Sequence, residues 1–166
     1  LFNGIDLEIN GGESTAVMGR SGSGKSTLMK MLVGLYKPEK GEILIDGVNI
    51  NTLNLEYLRE NVNYVNQTTK MFDDTVIYNM KYGNEIDESE IISKLKKYNL
   101  DEVFSDLPGG IKGKAGLHGG NLSGGMQKVT ILIRGILKKG NIVILDEPLA
   151  GLDQETINKV IRFILQ

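Results

Sequence analysis

"GRSGSGKST", residues 19–27, follows the short apolar run "STAVMG" (14–19) and leads into a stretch of helical character from Lys25 to Leu35. It fits the pattern G-x-x-x-x-G-K-[ST] with Gly19, Gly24, Lys25 and Ser26, and a strand before and a helix after is the setting that gives the pattern meaning. Glycines let the backbone wind around a phosphate so that several N–H groups point inward. The following helix adds its positive N-terminal end. Lys25 is then a point charge for the β- and γ-phosphates, and the Ser26 hydroxyl is placed for Mg²⁺. Arg20, Ser21, Gly22, Ser23 and Thr27 complete the cradle. The reading is a nucleoside triphosphate site.

A second feature fits the first. "IVILDEP" (142–148) is a continuous apolar run, suited to a strand buried on both faces, ending in Asp146 and Glu147. Open α/β sheets bind ligands at the carboxyl ends of their strands. Asp146 there can hold Mg²⁺ through a water, and Glu147 can orient or deprotonate an attacking water.

Composition narrows the classes. The 166 residues are 40% hydrophobic and 24% charged, ordinary for one globular domain. A net charge of −2 gives no electrostatic case for nucleic acid as partner. Without cysteine there are no disulfides, thiolate metal sites or cysteine nucleophiles, and the single His118 cannot form a metal cluster alone. The charges around Asp87, Glu88, Glu90, Lys94, Lys96 and Lys97 are mixed in sign and read as a solvated helical face.

Ile5, Leu7 and Ile9 alternate with polar residues and predict a strand closed by Asn10, Gly11 and Gly12. "GEILIDG" (41–47) predicts another strand, and "NVNYVNQ" (61–67) a strand end. The pattern is helical from Asp74 to about Lys139, interrupted by a glycine-rich connection from Pro108 to Gly120. Strand character returns at 141–147 and a last helix starts near Gln154. This order predicts one α/β domain with a helical insertion. An apolar pattern already under way at Leu1 and a helix still running at Gln166 are what a segment of a longer chain is expected to show.

"NLSGGMQKVTILIRG" (121–135) sets two glycines at the opening of a helix whose apolar stripe is Val129, Leu132, Ile133, Ile136 and Leu137. Glycine costs a helix interior about 1 kcal/mol relative to alanine. "LSGG" (122–125), lying between the phosphate loop and the "LDEP" strand, resembles the signature of ATP-binding cassette (ABC) proteins, and the likeness runs over nearly the whole chain. It implies an α/β fold with a P-loop NTPase-type core sheet, an N-terminal antiparallel β portion and an inserted helical subdomain carrying the signature. Residues 1–67 and 139–166 would be the ATP-binding core of a partial nucleotide-binding domain, and 68–138 the helical subdomain. Ser123 and the N–H groups of Gly124 and Gly125 would face the γ-phosphate held by a partner subunit's loop. Gln67 matches the Q-loop glutamine, which contacts Mg²⁺ and couples to the membrane partner. Asp153 in "LAGLD" (149–153) matches the D-loop, and "MFDDTVIYNMKYGN" (71–84) is similar to exporter-type cassettes. The implied cofactors are ATP and Mg²⁺. The implied partners are a second nucleotide-binding domain, identical or different, and transmembrane domains of the same or a partner chain. The place is the cytoplasmic face of a membrane, and the activity is ATP hydrolysis that powers transport.

The chain departs from the family pattern at Met126, where glutamine is usual, at Val129, where arginine is usual, and at Leu117, where exporters carry a glutamate. Weaker or different coupling to the membrane part is the expectation from Leu117. The adenine-stacking aromatic would precede Leu1 and the switch histidine would follow Gln166, so this stretch alone is expected to bind ATP weakly and hydrolyse it poorly. Two other readings use the same motifs. One is a soluble cassette ATPase of chromosome maintenance, DNA repair or translation, although no heptad run separates Lys25 from Ser123. The other is a degenerate domain that binds ATP without efficient hydrolysis.

Overall fold

A computed structural model describes residues 2, 4–66 and 69–165. Gln67, and the expectation attached to it, lie outside the described residues. The chain forms two compact units, Leu1–Arg59 and Glu60–Gln166. Among the described residues no helix is long and apolar enough to cross a membrane.

In the first unit the phosphate loop opens α1 (Lys25–Leu32). The helix stops where Gly34 takes φ +72°. The Gly34 N–H donates to the Met31 carbonyl at 3.0 Å and the Leu35 N–H to that of Lys30 at 2.9 Å, which satisfies two carbonyls of the last turn. β1 (Leu44–Ile45) and β2 (Val48–Asn49) pair antiparallel around Asp46 and Gly47, both at positive φ. The single strand predicted over 41–47 is thus a hairpin: Asp-Gly is a strong signal for a tight turn of this hand, and it reverses the chain. A 3₁₀ turn (Ile50–Thr52) and α2 (Leu55–Asn61) follow, with Ile50 and Leu58 buried.

Two predicted strands do not form among the described residues. Residues 5–9 and 14–19 carry no assigned secondary structure, and Ile5, Leu7 and Ile9 are 52%, 60% and 48% exposed. Alternation makes a strand only where a neighbour accepts its hydrogen bonds and a layer covers its apolar face. Neither is supplied to these residues here.

The second unit holds the core. β3 (Val62–Val65) and β4 (Ile142–Leu145) pair parallel, with Val62 opposite Ile142 and Val65 opposite Leu145. The helical segment expected between them is present as α3 (Val76–Lys81), α4 (Glu88–Lys97), short 3₁₀ turns and α5 (Gly124–Leu137), and α6 (Gln154–Ile164) follows β4. Met80, Ile91, Leu95, Phe104, Val129, Ile133, Val160 and Phe163 pack in one cluster. A parallel pair needs such a crossover, so the helices on its face are a consequence of its direction. At Gly135 a Cβ would lie 2.1 Å from Val65 Cγ2, so α5 meets β3 backbone-first. β4 departs from the expectation of burial on both faces: Ile144 is buried, but Val143 is 42% exposed. Its strand has one partner, β3, among the described residues. On α4, acidic residues fill the first turn, basic residues fill the last, and Glu90 meets Lys94 at 3.5 Å, the solvated face read from the sequence.

Candidate nucleotide site

The phosphate loop is shaped by its glycines. Gly22 and Gly24 take φ +78° and +97°, and a Cβ on Gly19 would come within 2.8 Å of Ser23 Oγ. Ser23 closes a turn by donating its N–H to the Arg20 carbonyl at 3.2 Å. The curl so formed wraps Lys25, whose Nζ donates to the carbonyls of Gly19 at 2.9 Å and Arg20 at 3.0 Å. Among the described residues these two carbonyls are the ammonium's hydrogen-bond partners, and charge-assisted bonds to anions are stronger than bonds to such dipoles. Arg20 and Ser21 are exposed beside it, and Ser26 and Thr27 lie half-buried in the first turn of α1.

In the second unit the Asp146 N–H donates to the Val65 carbonyl at 2.9 Å, carrying the ladder one residue past β4. Tyr64 pairs with Ile144, and side chains alternate, so Tyr64 and Asp146 share a sheet face. The Tyr64 hydroxyl donates to Asp146 Oδ2 at 3.0 Å. Burial pushes the phenol up to about 12, and the bond to Asp146 and its charge push the same way. Glu147 is exposed and sits at φ +52° before a proline. That is a left-handed conformation a glutamate adopts at a cost of about 1 kcal/mol or more, and such residues gather at functional sites.

Ser123 caps α5, its Oγ accepting from the Met126 N–H at 3.2 Å. Asp153 caps α6, accepting from the Thr156 N–H at 2.9 Å, and these bonds to Thr156 hold its carboxyl below the usual range. Both caps line one open cleft of about 470 Å³, together with Asp106, Asn121 and Gly125. Lys128 Nζ donates to the Ala150 carbonyl and so ties α5 to the loop ahead of Asp153. Gly124 is exposed, its φ is not positive, and a Cβ there would meet nothing within 4 Å. Nothing among the described residues requires glycine at that position. Met126, which stands where glutamine was expected, is absorbed into the core. Leu117 is 70% exposed, and His118 lies in the neighbouring turn at φ +54°.

Residues 2–150 match the sequence pattern of a family described as "ABC transporter". The chain belongs to the ABC transporter family. It is 39% identical over 158 residues to the ATP-dependent lipid A-core flippase of Francisella novicida, an alignment covering 94% of this chain and 27% of that protein. It is 37% identical over 170 residues to ABC transporter B family member 13 of Arabidopsis thaliana, covering 98% of this chain and 14% of that one. The chain thus spans about a quarter of the length of the flippase. Among solved structures it is similar to one titled "Structure of a bacterial Atm1-family ABC exporter with ATP bound", with a TM-score of 0.76 and 32% identity, over 87% of this chain and 26% of that chain. The α/β class with an inserted helical segment is therefore the fold of the matching part of an ABC exporter.

Within this ABC chain the structure joins Ser123 with Asp153 in one cleft and Asp146 with Tyr64 on one sheet face. Gly19 to Thr27 belong to the first unit, and Asp146, Glu147, Ser123, Gly124, Gly125 and Asp153 to the second. Sequence reading passed over Tyr64, because its pairing with Asp146 depends on strand register. It also passed over Asn79 and Arg134. Asn79 is fully buried, and its Oδ1 accepts from Phe72 N–H at 2.8 Å and from Arg134 Nη2 at 2.7 Å. A polar side chain inside an otherwise apolar helical stripe is the signal that could have flagged it.

Proposed function

We propose that this segment binds ATP with Mg²⁺ and hydrolyses it as the nucleotide-binding domain of an ABC exporter. In this reading Lys25 and the N–H groups of residues 19–27 take the β- and γ-phosphates. Two domains close head to tail over two nucleotides, so that Ser123, Gly124 and Gly125 of one meet the γ-phosphate held by the other. Glu147 takes a proton from the attacking water. Gln67 and Asp153 complete the contacts around the phosphates, and the partner is a second copy or a related domain. Transmembrane domains convert the closure into movement of a cargo, and the segment works on the cytoplasmic face of the membrane. Residues 1–67 with 139–166, and 68–138, are the two working parts.

The donor set suits Mg²⁺. This ion is held by one or two carboxylates or hydroxyls, waters and the substrate's own phosphates. Ser26 and Asp146 are each a hard oxygen donor of the right kind, and it is the resemblance that assigns both, with Gln67, to one ion. Bound there, the ion would neutralise phosphate charge and fix phosphate orientation.

One observation carries the reading. Gly124 opens a 14-residue helix where neither a positive φ nor a neighbour within 4 Å among the described residues asks for glycine, which leaves the helix start open to close approach from outside. Phosphate at a helix N-terminus is such a visitor. The test is nucleotide binding and hydrolysis by the full-length protein that carries this segment, beside Lys25→Ala and Glu147→Gln. Wild type should hydrolyse Mg-ATP, Glu147→Gln should trap an ATP-bound dimer by light scattering, and Lys25→Ala should do neither. A wild-type chain that ignores ATP sinks the proposal.

A further inference from the structure

We infer that Tyr64 is a positioning residue for the metal–nucleotide site: its hydroxyl fixes the carboxylate of Asp146 in the orientation that receives Mg²⁺. The inference rests on the function proposed above and adds to it a residue outside the phosphate loop, the acidic pair and the signature.

Three features converge on it. The parallel register sets Tyr64 beside Ile144, which puts Asp146 on the same face one step beyond the end of the pair. The hydroxyl then reaches Oδ2 at 3.0 Å, at the long end of the O–H···O hydrogen-bond range. The Asp146 backbone is fixed at the same time by its N–H bond to Val65. Backbone and side chain of Asp146 are therefore both held from β3, the strand that leads into Gln67. Carboxylates that serve metals are steered by hydrogen bonds from neighbours, and losing such a neighbour typically weakens the metal 10–100-fold.

The experiment uses Tyr64→Phe in the full chain, which keeps the ring and removes only the bond. Binding of Mn²⁺ in the presence of a non-hydrolysable ATP analogue is followed by the loss of the free-ion electron spin resonance signal. The half-saturating Mn²⁺ concentration should rise about 10-fold, and the Mg²⁺ concentration that half-saturates ATPase should rise with it. Tyr98→Phe, a tyrosine stacked edge-on against Phe163, serves as the control and should leave the metal requirement unchanged. If Tyr64→Phe lowers the melting temperature with an unaltered metal requirement, Tyr64 is merely structural and the inference is overturned. If wild type itself takes up no metal with nucleotide, the underlying reading has failed before Tyr64 is tested.

Discussion

Arg134 on α5 and Asn79 on α3 are joined twice: Arg134 Nε donates to the Asn79 carbonyl at 2.6 Å, and Nη2 donates to Asn79 Oδ1 at 2.7 Å. Nη1 reaches the Lys70 carbonyl at 3.2 Å, and the guanidinium lies 5.5 Å from the Phe72 ring and 5.8 Å from that of Tyr82. One side chain therefore clasps the signature helix to the segment 70–82. Lysine cannot reproduce a planar fork of donors. Arg134→Lys should leave the buried Oδ1 of Asn79 short of a donor and destabilise the second unit by about 1–3 kcal/mol. Urea unfolding followed by circular dichroism measures it, and a change within error would show that the clasp contributes nothing.

Gly135 predicts an overpacking penalty. A methyl group there meets Val65 Cγ2 at 2.1 Å, so α5 and β3 must separate. Gly135→Ala should cost about 1–3 kcal/mol despite the better helix propensity of alanine. A stabilised variant would contradict the close approach of helix and strand.

Ser123 carries two duties that can be separated. Ser123→Ala removes the cap and should cost about 1 kcal/mol of stability. Ser123→Asp keeps a capping oxygen but sets a negative charge toward the incoming phosphate. It should melt near wild type yet fail to form the ATP-bound dimer in the Glu147→Gln background. Dimer formation by that double variant would mean that the serine faces no phosphate.

Lys25→Ala removes the ammonium inside the phosphate loop. The loss of one charge-assisted contact is worth about 1.5–3 kcal/mol, or tenfold or more in Kd. Equilibrium binding of a fluorescent ATP analogue reads it, and melting without nucleotide should move little, because the lysine's bonds to the Gly19 and Arg20 carbonyls are exposed.

Tyr64 predicts an alkaline signature. Its phenol ionises near 10.0 when unfolded and near 12 when folded, so the folded state holds this proton more tightly. That contribution is complete below the unfolded value and fades as pH rises through the folded one. Between pH 10 and 12 wild type should lose more stability than Tyr64→Phe, read from urea midpoints. Parallel losses in the two proteins would contradict a perturbed phenol.

Much of the fold, and the candidate site as a set of motifs, was legible because these signals are local. A phosphate loop is a run of nine neighbours whose spacing is its chemistry, and the order of helices and strands follows from periodicity: α5, α6 and β4 lie where the pattern set them. The strand expected at 41–47 became a hairpin because Asp46-Gly47 is itself a turn, and 5–9 and 14–19 stayed unpaired because pattern alone supplies no partner strand.

The chain's own text, read residue by residue, determined the family and the class of fold, and it marked residues 19–27 and 122–125 as the candidates for phosphate contact. Tertiary structure alone decided that Tyr64 meets Asp146, that Arg134 clasps Asn79, and that Ser123 and Asp153 open on one cleft. These partners stand 82, 55 and 30 positions apart, and register, helix rotation and packing are what bring such distant residues within a hydrogen bond or a shared cavity.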